Sequence, residues 1–165
     1  MRVYFAQVMD NKAYLEHALK VLAELEGQGH SVYFPWRDEG LILEDQAGED
    51  SSMATFYKDV ENIRSCDALV AYIDGLGPDS GTCVEIGIAY ALGKPIALYT
   101  TEFKYLPKGL DLREWMRGYA SVTFANEGSA EIQNEPMINN MLLGASNRTV
   151  FTDAEGILGW LAALA

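Results

Sequence analysis

The chain predicts an α/β protein, a doubly wound sheet of about five mostly parallel strands with helices on both faces. Short, near-continuous apolar runs at Val3–Val8, Ala68–Ile73 and Ile96–Thr100 read as strands buried on both sides. Between them lie stretches with apolar residues at helical spacing, at Tyr14–Leu25, Met53–Arg64 and Thr82–Leu92. Glycine and proline separate the two kinds of segment. Strands that alternate with helices imply crossover connections, and hence a parallel sheet.

In chain order, Val3–Val8 is the first strand, and Tyr14–Leu25 is an amphipathic helix ending near Gly27 and Gly29. Ser31–Phe34 is a short second strand closed by Pro35. Asp38–Ser52 mixes glycine with Asp38, Glu39, Glu44, Asp45, Glu49 and Asp50 and reads as a long polar loop, a kind that often closes over ligands. Met53–Arg64 is the second helix, leading through Cys66 and Asp67 into the third strand, Ala68–Ile73. Thr82–Leu92 is the central helix, stopped by Gly93 and Pro95, and Ile96–Thr100 is the fourth strand. Thr101–Glu135 follows no simple period, broken by Pro107, Gly109, Trp115 and Gly118. Pro136–Ala145 reads as a helix with proline in its first turn. Thr149–Phe151 is a fifth strand, and Asp153 caps a last helix running to Leu164. The whole, residues 1–165, reads as one flavodoxin-like domain.

A chain of 165 residues can bury a substantial core, and 49% hydrophobic with 22% charged residues is ordinary for a globular protein. Its 12 basic and 24 acidic residues give a formal charge of -12, which disfavours nucleic acid and anionic membranes as partners. A neutral or cationic small molecule is easier to accommodate. Cys66 and Cys83 form neither a CxxC pair nor a zinc-spaced cluster, and read as reduced buried thiols. His17 and His30 have no partner at metal or triad spacing and read as structural or surface residues. No metal and no cofactor is expected. The amino terminus enters a strand pattern without a signal-peptide profile, and no run approaches the roughly 20 apolar residues that span a bilayer. The expected compartment is the cytoplasm.

The densest chemistry lies between Asp74 and Pro95, where Asp74, Asp79 and Glu85 surround a strand-to-helix turn. Ligands of open α/β sheets bind at such carboxyl strand ends. Thr82-Cys83-Val84-Glu85 fits a capping box, with Thr82 capping the helix and Glu85 returning a bond to its backbone. Alternatively, Glu85 is a carboxylate kept ionised by the helix dipole, as attack on a sugar carbon requires. Asp79 is either a turn or capping residue or an acid/base partner, since two carboxylates in different surroundings can divide those roles. Asp74 is placed to bind a substrate hydroxyl. Gly81 and Gly87 would let a ligand or a strand approach closely.

Asp74-Gly75, Asp79-Ser80-Gly81-Thr82, Glu85-Ile86-Gly87 and Ala89-Tyr90-Ala91-Leu92-Gly93-Lys94-Pro95 together resemble the nucleoside 2-deoxyribosyltransferases. Val3-Tyr4-Phe5-Ala6, Phe34-Pro35-Trp36-Arg37-Asp38, Tyr57-Lys58-Asp59 with Ile63 and Asp67, and Asn139-Asn140-Met141-Leu142-Leu143-Gly144 extend the likeness over most of the chain. The resemblance implies that Glu85 attacks C1′ of a deoxynucleoside, and that Asp79 protonates the leaving base and deprotonates the incoming one. Asp74 would bind substrate. Asn139, or Asn140 in the neighbouring register, would reach the sugar from another subunit, with Met141 beside it. This implies a homo-oligomer (dimer-based, up to a hexamer) acting on deoxynucleosides and free nucleobases, with retention at C1′. Gln7, Met9 and Trp36 depart from the residues expected at their positions and are placed in the base pocket; Tyr4, Phe5 and Trp36 could stack on a base, although such aromatics more often belong to the core.

Two other readings remain. A nucleoside or nucleoside 5′-monophosphate N-glycosidase would use Glu85 similarly but transfer to water. The first loop, Ala6-Gln7-Val8-Met9-Asp10-Asn11, has no serine, lysine or arginine to hold a phosphate. A non-catalytic nucleotide-sensing module would leave the three clustered carboxylates without a purpose.

Overall fold

The structure, a computed structural model, describes residues 1–7, 12–39, 49–74, 79–101, 138 and 140–165. Its elements are β1 (Arg2–Gln7), α1 (Lys12–Gly27), β2 (Ser31–Tyr33), α2 (Pro35–Glu39), α3 (Glu49–Ser65), β3 (Ala68–Tyr72), α4 (Ser80–Ala91), β4 (Ile96–Tyr99), α5 (Asn140–Ala145), β5 (Val150–Phe151) and α6 (Ala154–Leu164). The five strands form one parallel sheet in the order β2-β1-β3-β4-β5. The chain steps from β1 outward to β2, then returns to build on the other side of β1. The turning point therefore lies between β1 and β3, where a crevice opens at the carboxyl ends of doubly wound sheets.

Alternation along the strands sends side chains to two cores. Val3 and Phe5 of β1, Val70 and Tyr72 of β3, and Tyr99 of β4 face α1 and α6, packing on Leu22, Leu25, Ile157 and Leu161. Tyr4, Ala6, Leu69, Ala71 and Leu98 face the other way, onto Ile63 of α3, Ile86 and Ala89 of α4 and Leu142 of α5. All of β1 beyond Arg2, all of β3 and all of β4 are buried, which explains their unbroken apolar runs. Each fully buried aliphatic side chain contributes about 1.5–3 kcal/mol.

Two helix ends show why glycine stands there. Gly29, at φ +84°, turns the chain so that His30 N bonds back to Leu25 O at 3.2 Å. Gly93, at φ +67°, does the same for Lys94 N and Ala89 O at 2.9 Å. Asp153 caps α6 as expected, accepting from Gly156 N at 2.8 Å.

Several expectations are corrected. The polar loop expected from Asp38 to Ser52 is shortened at both ends by helix. Pro35 opens α2, where Asp38 Oδ2 accepts from Phe34 N at 2.8 Å, and α3 begins at Glu49. Residues 40–48 lie outside the described ones, as do Val8, Met9 and most of the unreadable stretch from 102 to 137. The helix expected from Pro136 is seen only as α5, with Ile138 non-helical before it. The cap of α4 is Asp79, not Thr82. Asp79 Oδ2 accepts from Gly81 N at 3.1 Å and Thr82 N at 3.4 Å, so α4 starts at Ser80 and the capping box does not form.

Candidate active site

The site grows from Tyr4, whose ring lies wholly buried under α3 and α4. Its hydroxyl donates to Glu85 Oε1 of α4 at 2.6 Å, and its oxygen also lies 3.1 Å from Asp59 Oδ1 of α3. A phenol has one proton to give, so both contacts persist together when Asp59 carries a proton of its own. Beside this trio, the Tyr33 ring lies 5.5 Å from the Tyr4 ring and its hydroxyl donates to Glu39 Oε1. Lys58 Nζ is 3.4 Å from the same Glu39 oxygen.

Burial decides the electrostatics. It pushes the Glu85 carboxyl from 4.5 up to about 8; the Tyr4 bond opposes this, and the negative charges of Asp59, Asp79 and Glu39 add to it. Asp59 is raised by its own burial and by Glu39, against the Tyr4 bond and Lys58. Tyr4 is held far above the usual phenol range by burial and by the Glu85 and Asp59 charges. The helix dipole does not keep Glu85 ionised. With α4 starting at Ser80, Glu85 is past the first turn, where that field has faded.

The structure distributes the other expected residues unevenly. Asp79 stands at the amino end of α4, and its charge acts on Glu85. Gly81 makes room for it, because a Cβ there would sit 2.9 Å from Asp79 Oδ2. Among the described residues, a Cβ on Gly87 would meet nothing within 4 Å, so no close approach by them explains that glycine. Asp74 is buried and already engaged. Its carboxylate accepts from Thr101 N at 2.9 and 2.8 Å and from the hydroxyls of Thr100 and Thr101, tying the end of β3 to the end of β4. Trp36 packs on the α1–α6 core beside Phe34, at 6.3 Å between rings. Gln7 ends β1, buried opposite Tyr72. Met141 is 80% exposed on α5, Asn140 opens that helix, and Asn139 lies outside the described residues.

Of the carboxylates around the turn, then, Asp74 is turned to β4, and Asp59 and Glu39 come to Glu85 instead. Asp59 carried a readable signal. It precedes Ile63 by one helical turn, so the buried Ile63 puts it on the sheet-facing side of α3. Glu39 carried none, because the end of α2 was hidden inside an apparent loop, and Tyr33 lay in an expected strand with nothing to mark its hydroxyl. His17 of α1 joins the opposite face, its Nε2 2.6 Å from the Tyr99 hydroxyl. Among the described residues no three His, Cys, Asp or Glu side chains form a metal-holding group, and no helix is long and apolar enough to cross a membrane.

No curated protein matches the chain in sequence. Among solved structures it resembles a 2-deoxyribosyltransferase of Bacillus psychrosaccharolyticus, at 23% identity and TM-score 0.67, covering 99% of this chain and 96% of that one. It also resembles a conserved protein of Enterococcus faecalis V583, at 25% identity and TM-score 0.74 over 100% and 99% of the two chains. A CMP N-glycosidase of Clostridium botulinum shares the fold at 18% identity and TM-score 0.51, over 98% and 99%. The sequence profile described as Nucleoside 2-deoxyribosyltransferase matches residues 3–142, most of the chain and the whole of the Tyr4–Asp59–Glu85 site. The chain belongs to the nucleoside 2-deoxyribosyltransferase family.

Proposed function

We propose that this protein moves 2-deoxyribose between nucleobases through a covalent deoxyribosyl ester on Glu85. The observation that carries the reading is the carboxylate of Glu85 held by the buried Tyr4 hydroxyl at 2.6 Å. A carboxylate with a raised pKa is a stronger nucleophile once ionised, and a fixed hydrogen bond aims one of its oxygens. In the first step a Glu85 oxygen bonds to C1′ as the C1′–N bond breaks, and the base leaves with a proton from Asp79. In the second, the incoming base gives a proton back to Asp79 as its nitrogen displaces Glu85. Two inversions restore the β configuration. Tyr4 and Asp59 are positioning residues here: they hold the carboxylate and its proton but do not bond to the sugar.

Asp74 serves the site by fixing the strand ends beside the crevice, and Gly81 by admitting the Asp79 carboxylate. Exposed Met141 on α5, with exposed Tyr90 on α4, supports a homo-oligomer in which residues 139–141 complete a neighbour's site. No disulfide joins Cys66 and Cys83, which suits a reducing cytoplasm.

Thymidine incubated with free adenine tests the proposal. Deoxyadenosine and thymine appearing together support transfer. Thymine and free deoxyribose without exchange would assign the protein as a hydrolase, and binding with no product as a sensing module.

A further inference from the structure

Gln7 is 7% exposed, yet neither its Nε2 nor its Oε1 has a hydrogen-bond partner among the described residues. Leaving a buried amide unpaired costs the fold free energy it does not recover internally, so a retained orphan asks for a use. The orphans are also not scattered. Of the four buried side-chain atoms without partners among the described residues, Gln7 Nε2 and Oε1 and Thr82 Oγ1 lie at the carboxyl edge of the sheet, Gln7 on the α1 face by its alternation with Phe5 and Thr82 on the α4 face; His30 Nδ1 lies at the opposite end, before β2. Gln7 is the last residue of β1, paired with Tyr72 of β3, directly at the turning point between the two strands. Thr82 faces the sheet from the first turn of α4.

We infer that the Gln7 carboxamide is a specificity-determining group that pairs with the edge of the nucleobase, an inference that rests on the transfer reading above. A carboxamide presents a donor and an acceptor side by side in one plane. Its complement is a planar edge with adjacent acceptor and donor, which nucleobases carry and a sugar does not. Being neutral, Gln7 offers this without adding to the negative charge gathered around Glu85. A hydrogen-bonding residue here rejects a base lacking the matching group, because the rejected base leaves both amide atoms unpaired again.

The test compares wild type with Gln7→Leu, which keeps the volume and removes both orphans. The free variant should melt at or above the wild-type temperature; a lower melting temperature means the amide has a structural partner, and overturns the inference. Exchange is then measured with adenine against unsubstituted purine, and uracil against 3-methyluracil, as acceptors. Wild type should favour the first member of at least one pair by about ten-fold or more in kcat/KM, and Gln7→Leu should bring that preference within about two-fold. An unchanged preference, or a change confined to ribose-versus-deoxyribose discrimination, overturns the inference. A wild type that exchanges none of these bases refutes the transfer reading instead. Calorimetric binding of adenine and purine to both proteins then tests Gln7 alone, with equal affinities, or no binding at all, overturning it.

Discussion

Tyr4→Phe removes one hydroxyl from a fully buried ring and leaves the packing around it in place. With the Glu85 carboxyl at about 8, about one molecule in ten is ionised at pH 7. The lost bond to the carboxylate is short and charge-assisted, a class that contributes about 1.5–3 kcal/mol, or about 1–2 pKa units at 1.36 kcal/mol per unit. Part of this is offset. The same hydroxyl holds Asp59 down, so its loss lets Asp59 take up a proton more readily and relieves repulsion on Glu85. The net expectation is a rise of about one unit, and about a ten-fold fall in the ionised fraction near neutrality. The assay is the pH profile of kcat/KM for base exchange, which reports the free enzyme. Its ascending limb should move to higher pH in the variant, with activity recovering towards wild type on the alkaline side. Carbon NMR of labelled glutamate carboxyls should show the same displacement without turnover. A uniform loss at every pH, with the limb unmoved, would refute the argument that Tyr4 acts through the charge state of Glu85.

Glu85→Gln should abolish exchange and change the pH dependence of stability. The folded carboxyl, at about 8 against 4.5 unfolded, keeps a proton that the unfolded chain gives up, so its contribution is full below 4.5 and lost as pH rises to about 8. Urea unfolding should therefore find the variant more stable than wild type above pH 8, by up to about 5 kcal/mol, with the gap closing towards pH 4.5. Asp79→Ala removes the α4 cap and should cost about 1 kcal/mol in the same assay, while slowing exchange most for bases that need a proton to leave. Ile157→Ala, in the core far from Glu85, should cost about 2–5 kcal/mol and leave the pH profile of exchange unmoved.

The strands were legible because β1, β3 and β4 are buried on both faces, and a continuous apolar run has no other economical reading at that length. Asp153 as the cap of α6 was legible for a similar reason, since one residue type in front of an apolar period has few other uses. The errors arose where two local rules competed. Thr82 and Glu85 satisfy the spacing of a capping box, but Asp79 lies three residues earlier and its carboxylate is the stronger acceptor; Gly81, lacking a Cβ, lets it close. Once the cap moves, Glu85 shifts from the helix end to the helix body, and its environment changes from dipole-dominated to burial-dominated. Asp74 and Asp59 exchanged importance because proximity in sequence is a poor guide at a sheet edge. Asp74 is eleven residues before Glu85 yet is bound up with Thr100 and Thr101, while Asp59 reaches Glu85 through Tyr4 from another helix.

The charge arrangement itself argues for function. Glu39, Asp59 and Asp79 all press on Glu85, and Glu39 on Asp59, through a partly dehydrated region, with Lys58 acting on Asp59 from the rim. Folding gains nothing from this, since like charges raise each other's cost and an apolar residue at position 85 would avoid that repulsion. The neighbouring strand position shows the contrast. Phe5, one residue along β1 and on the opposite face, is met by Phe34 edge-on at 6.0 Å in a core with no such conflict. A carboxyl that the fold would hold more easily as a neutral side chain, anchored by a phenol it shares with Asp59, stores its instability where a sugar carbon with developing positive charge would relieve it. Such a centre lowers the repulsion among these acids as it forms, so the site should bind the oxocarbenium-like state more tightly than the neutral nucleoside.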